Sequence, residues 1–598
     1  LGLKSRSLDT ETIAIGAYSN ASKTNATAFG TNANALAVNA MAMGTNALAS
    51  TTDAFAAGLE AKATGVNSMA LGMRSSATNT NALAYGSLAN ATGVNSMATG
   101  TQAFANASQA IASGVRAKAT STGALAFGAY ANATNVETIA IGGFAQAIGA
   151  NSTAIGVYSL ASNEKALAVG ACSQALQSGA MALSAYSFAN GTDAIAAGYG
   201  AKANADNAIA LGTNTLANAD DAFAAGFNSL ATGVNSMALG SSASATAIGA
   251  IAIGTSTLAN AADAFAAGFN SLATGVNSIA FGSSASATAE GAYAAGLKAN
   301  ASGNNSVALA TLASAKGSNA YAFGVSAVAL GNNAAAFGTL ANATGDASYA
   351  VGLLSEATAQ NAIAFGINST ASNINSFAIG SSALATGFGS AAFGVESSAT
   401  QNEAFAVGVQ AISSANQALA FGANSEASGN YSLSIGSNSL ATQSESFAAG
   451  TQAIASANQA LAFGASAEAS GNYSLAVGSN SQASAVNAQA LGDYALASGN
   501  SSFAAGANSQ ATNTNSVAVG TGSSSTNTST LALGTIAKAS GFRATAIGFN
   551  ANASAQDSVA VGAQAYSNAA NAIAFGTSTR ATAEAAMVFG DNAQATAV

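Results

Sequence analysis

A glycine returns every fourteen residues through this chain without a slip. Gly16, Gly30, Gly44, Gly58, Gly72 and Gly86 open the comb, and Gly562, Gly576 and Gly590 close it in the same phase. Ser184 and Ala310 take the glycine's place at two positions, and neither shifts the register. A repeat held in phase without insertion means that each unit touches the next in the same way, which is the signature of a solenoid. A chain of 598 residues would ordinarily divide into several globular domains. A solenoid grows by adding coils instead, so residues 1–598 are predicted to form a single continuous repeat array. Two segments reappear three units on, Asp221 to Leu230 from Asp263 and Asn416 to Gly422 from Asn458, as growth by copying would leave them.

Within each unit the residues before the glycine alternate small and large, as in Asn81-Ala82-Leu83-Ala84-Tyr85-Gly86 and Asn571-Ala572-Ile573-Ala574-Phe575-Gly576. This is strand periodicity with both faces apolar. A second alternation follows, as in Phe227-Asn228-Ser229-Leu230-Ala231-Thr232, with Ala or Ser at the third and fifth positions and free variation at the second and fourth. The free variation marks a solvent face. Two short strands and two tight turns use up fourteen residues and leave no room for a helix. The comb glycine supplies a backbone angle or a close approach that a Cβ would hinder. The second corner carries pairs such as Thr232-Gly233 and Ser470-Gly471, suited to left-handed turn positions. The chain has no proline, as expected where coils donate N–H groups to the coils above and below.

Packing predicts an obligate oligomer. One strand is apolar on both faces, and a narrow two-sheet roll can cover only one of them. Copies of the same chain about an axis would cover the other. Volume complementarity places the large residues inside the roll against the Ala/Ser face of the second strand; the alternative points them at the axis. At about 4.8 Å per coil, roughly 42 coils would make a rod on the order of 200 Å long.

Bulk chemistry excludes several functions. Charged residues are only 6% of a chain that is half apolar, which argues against disorder. A net charge of −9 gives no electrostatic reason to bind nucleic acid. No positive charge stands between Lys316 and Lys538, an interval punctuated by Asp346, Glu356, Glu396, Glu403, Glu426, Glu445, Glu468 and Asp493. This reads as a solvated acidic face. Catalysis by acid–base or nucleophilic routes needs histidine or convergent carboxylates in a pocket, and histidine is absent. No cofactor loop or metal-ligand spacing is present, and the lone Cys172 has no partner for a bridge. The chain is predicted not to be an enzyme. Both termini fall inside a repeat, which suggests a piece or processed form of something longer.

Asn515-Ser516-Val517-Ala518-Val519-Gly520, Asn277 to Gly282 and Asn67 to Gly72 resemble the Asn-Ser-Val-Ala-Ile-Gly motif in the heads of trimeric autotransporter adhesins, the YadA-like family. The resemblance covers essentially the whole chain. It implies a left-handed parallel β-roll, a homotrimer, and display on the bacterial outer surface. It also implies binding to collagen or another matrix or surface ligand, through Asn515, Ser516, Val517, Ala518, Val519 and Gly520. The same residues recur because every coil needs them, which is a scaffold reading. Neck, heptad stalk and barrel anchor are missing from these residues. The chain is therefore read as an adhesin head, or alternatively as a structural fibre that associates end to end through open strand edges.

Overall fold

Two strands and two four-residue turns close each repeat into a flattened coil, and the hydrogen bonds show why fourteen residues suffice. The computed structural model describes residues 1–596. Its contacts divide the chain into two compact units, Leu1–Lys298 and Ala299–Val598, and each is built from the same coil. In the first unit the coil runs through strand Met69–Leu71, Gly72, strand Ser76–Ala77 and strand Leu83–Tyr85. In the second it runs through Ile363–Phe365, Gly366, Thr370–Ala371 and Phe377–Ile379. No helix occurs among the described residues.

Three-residue strands stack in parallel on one side of each unit and two-residue strands on the other. The register is the repeat itself: Met69 pairs with Leu83, Ala70 with Ala84 and Leu71 with Tyr85. Ser76 likewise pairs with Asn90 and Ala77 with Ala91. The ladder extends beyond the strands, with Arg74 donating to the Leu59 carbonyl at 2.7 Å and Asn81 to Val66 at 2.8 Å. Most backbone N–H groups of a coil are thereby used, which accounts for the absence of proline.

The first turn closes from Ser75 N–H to the Gly72 carbonyl, with Arg74 at φ 57°. The second closes from Ala82 to Asn79, with Asn81 at φ 58°. Positive φ thus falls on the third residue of each turn, where a type II turn requires it, and Asn tolerates it better than most. Here the structure corrects the sequence reading. Gly233 and Gly471 are not the left-handed residues; Asn235 and Tyr473, two positions on, are. Glycine at the earlier position serves close approach, since a Cβ on Gly233 would fall on the Ala247 carbonyl.

The interior of the roll is alanine. Ala70, Ala77, Ala82 and Ala84 are all but fully buried, and in other coils Ser or Thr takes such a place. An interior serine finds its partner across a very short gap: Ser434 and Ser439 hydroxyls lie 2.6 Å apart, and Ser413 donates to the Ala418 carbonyl at 2.6 Å. The sheets are therefore too close for Leu, Ile or an aromatic ring; the largest side chain found inside is that of Val588, in the last described three-residue strand. This overturns the expectation from volume complementarity: the large residues of the three-residue strand point out of the roll.

Serine at the third position after the comb glycine has a defined task in many coils. Ser75 Oγ donates to the Gly72 carbonyl at 2.9 Å, whereas Ser509 Oγ is buried with no partner. Replacing Ser75 by alanine is expected to destabilise by about 1 kcal/mol, and Ser509→Ala to be neutral or stabilising. Paired urea unfolding curves would check this; equal losses at both sites would contradict it.

Candidate functional site

Because the interior accepts only small residues, the strand alternation forces every large one onto an outer face. Leu83 and Tyr85 leave the same face of their strand, as do Ile363 and Phe365, with alanine between them pointing in. Tyr85, Phe281, Phe365 and Phe575 are each more than half exposed. Neighbouring rungs touch along this stripe: the rings of Phe323 and Phe337 stack with centroids 5.0 Å apart. No Asp, Glu, Lys or Arg occupies either outward position of this strand anywhere in the chain. Isolated exposed apolar residues are ordinary, but an uncharged stripe repeated on every coil is the kind of surface that interaction sites are made of.

The two-residue strand faces the other way and is mixed, with Leu48, Phe104, Leu216, Leu230 and Ile412 among otherwise mostly polar residues. Its outward residues include Lys62, Ser76, Asn90, Glu426 and Gln510. Charge on the roll is sorted by position. Within Leu1–Lys298, Lys4, Arg6, Lys62, Arg74, Arg116, Lys118, Lys202 and Lys298 stand at the second or fourth position after a comb glycine. The carboxylate sharing those positions is Glu60, which pairs with Arg74 at 2.9 Å. The other carboxylates of that unit, among them Asp53, Glu137, Asp193, Asp221 and Asp263, gather at the far turn. In Ala299–Val598 the second and fourth positions instead carry Glu356, Glu396, Glu426 and Glu468, with Lys538 and Arg580 later on. Sorting the charged residues by place in the repeat would have exposed this pattern in the sequence; reading them along the chain concealed it.

Exposed ion pairs add little. Arg543 and Asp557 meet at 2.7 Å, and the hydrogen bond from Arg543 holds the Asp557 carboxyl below the usual carboxylate range. Any stability from that pair is present above the ordinary aspartate pKa and lost as pH falls through the depressed one.

The motif residues occupy distinct places. Asn515 is the left-handed turn residue at φ 56°, and Gly520 is a comb glycine at φ 128°. Ser516 and Ala518 are fully buried inside the roll. Val517 and Val519 lie on the apolar stripe, half-buried. The side chains of Ser516 and Ala518 are thus beyond a ligand's reach. Gly16, Gly30, Gly44, Gly58, Gly72 and Gly86 all have φ near 130°, and Gly590 has φ 107°. Cys172 sits half-exposed at a left-handed turn position.

Parallel coils with an alanine interior, a mixed face on the short strands and an uncovered apolar stripe define a β-solenoid. The family model described as the YadA head domain repeat (2 copies) matches stretches from 10–33, 35–61 and 63–89, through 245–271 and 385–411, to 525–551 and 553–579. Together its matches cover well over half of the chain, and the chain belongs to the YadA head-repeat family. No curated protein matches it.

Proposed function

We propose that this chain is the head of a bacterial surface adhesin. Three copies of a left-handed roll stand about one axis with their apolar stripes inward and their two-residue strands outward. The observation that carries this reading is the uncharged stripe of half-exposed large residues on each coil, within a chain of YadA head repeats. Removing that stripe from water along many coils supplies the association energy, at about 25 cal/mol per Å² of apolar surface. The face of the two-residue strands then presents many repeated weak contacts to matrix proteins, cells or surfaces, and multivalency makes them strong together. The Asn515 to Gly520 segment and its equivalents act as scaffold, because their buried members build the coil and their apolar members build the interface.

Light scattering on the purified chain tests the assembly. The expected mass is three times the 56.8 kDa of one chain. Replacing Ile363 and Phe365 by lysine is expected to weaken association while leaving the β-sheet circular dichroism intact. A folded, monodisperse monomer of the unaltered chain would refute the proposal. Long filaments in electron micrographs would favour an end-stacked fibre over a discrete head.

A further inference from the structure

One groove on the outward face combines features that neither the apolar stripe nor the repeat requires. It encloses about 640 Å³ and runs across successive coils of the first unit. Its ridge is a ladder of rings at the left-handed turn position: Tyr130 stacks on Phe144 at 4.7 Å, and Phe144 on Tyr158 at 4.9 Å. Arg116 lies with its guanidinium 5.5 Å from the Tyr130 centroid and donates to the Tyr130 hydroxyl at 3.2 Å. Its Nε donates to Gln102. Lys118, Asn132 and Gln146 line the groove from the short strand, and Asn132 Oδ1 is buried without a hydrogen-bond partner.

The constellation returns at the same repeat positions near the start of the chain, and in a related form on the short strand in the second unit. Lys4 lies over Tyr18 at 5.6 Å beside Arg6 and Asn20, and Asn20 Oδ1 is likewise without a partner. In the second unit Arg580 lies over Tyr566 at 5.0 Å beside Gln564 and Gln594. A cation parked on a ring, flanked by amides, is a recurring design of this face.

We propose that these grooves bind an extended anionic polysaccharide, with Arg116 and Lys118 on its carboxylate or sulfate groups and Asn132, Gln146 and Gln102 on its hydroxyls. This rests on the reading that the two-residue strand faces outward in the assembly. Three arguments select the ligand. Arg116 is already held by a ring and two hydrogen bonds, so little side-chain freedom is lost on meeting an anion. Amides both donate and accept, which matches hydroxyl groups. Both faces of Phe144 are covered by its neighbours, so the ladder offers it no open face for a stacked nucleobase, and one or two cations per groove are too few for a nucleic-acid backbone. The linear succession of rungs suits a polymer lying along the coils.

The test uses the full chain and a uronic-acid hexasaccharide. Hydrogen–deuterium exchange should show protection of residues 102–158, weakened by salt and absent with neutral dextran. Arg116→Ala with Lys118→Ala should lower affinity at this groove about tenfold or more, as loss of charge-assisted contacts does. Tyr130→Leu, which keeps both cations but removes the ring beneath Arg116, should also weaken binding. Light scattering and circular dichroism on each variant separate loss of the ligand from loss of the assembly. Protection away from these three grooves, equal protection by dextran, or equal competition by polyglutamate or DNA would overturn the assignment.

Discussion

Replacing Gly268 by valine will unfold the coils around it, at a cost of about 3 kcal/mol or more. Gly268 has φ +129°, and a Cβ there would stand 2.5 Å from the carbonyl oxygen and 2.6 Å from the carbonyl carbon of Gly282 on the next coil. Both objects are backbone, so no side chain can move aside. The chain contains its own control. Ser184 and Ala310 occupy comb positions at φ 130° and 109°. Just beyond them the ladder lengthens: Gly198 N–H reaches Leu183 at 3.0 Å and Gly200 reaches Ala185 at 3.2 Å, and Gly324 reaches Leu309 at 3.0 Å. The corresponding bonds from Gly72 and Gly86 are 2.8 and 2.7 Å. A single Cβ is therefore accommodated by parting two coils slightly. A branched side chain asks for more than the ladder can yield, so Gly268→Ala should fall between wild type and valine. Urea unfolding, with amide exchange at Gly282 as the local probe, would register the order. Equal stability of all three proteins would remove the steric account of the comb.

Enlarging the interior will be nearly as damaging. Ala364 is fully buried and lies in its ladder between Ala350 and Ala378. Ala364→Leu adds three carbons where the opposed sheet stands within a hydroxyl's reach, and overpacking of this kind costs about 1–3 kcal/mol even in roomier cores. The adjacent Phe365 gives the contrasting result. The residue is 55% exposed on the outer face, so Phe365→Ala should leave the isolated roll as stable as before and weaken association instead. The two substitutions are neighbours in sequence yet should move different observables, unfolding midpoint for one and oligomer mass for the other. If Ala364→Leu altered only the mass, the inward and outward assignments would be reversed.

The grooves of the outward face lie at another level of the same design. Neither Arg116 nor Tyr130 is demanded by the coil, because Asn, Ser, Leu and Gln stand at the equivalent position elsewhere. What the coil contributes is spacing: residues fourteen apart become neighbours about 4.8 Å apart. A cation and a ring placed one repeat apart are thereby brought into contact. Chemistry on such a scaffold is written by choosing residues at two positions per coil.

The comb of glycines, the missing prolines and the small–large alternation were enough to read a parallel solenoid of two-strand coils from the residues alone. Each of those signals is local or periodic, and the backbone ladder constrains it in the same way at every coil. The direction of the large side chains was not readable, because a strand apolar on both faces alternates identically whichever face turns inward. Closure settled it. Two four-residue turns bring the sheets so near that Ala, Ser and Thr fill the space between them, with Val588 the one larger exception among the described residues, and Leu83, Tyr85, Ile363 and Phe365 are left outside. The same closure put the left-handed angle on Asn235 in place of Gly233, and set Arg116 against Tyr130 across a rung. Distances across a fold depend on how tightly the chain turns, and no periodicity along the chain measures that.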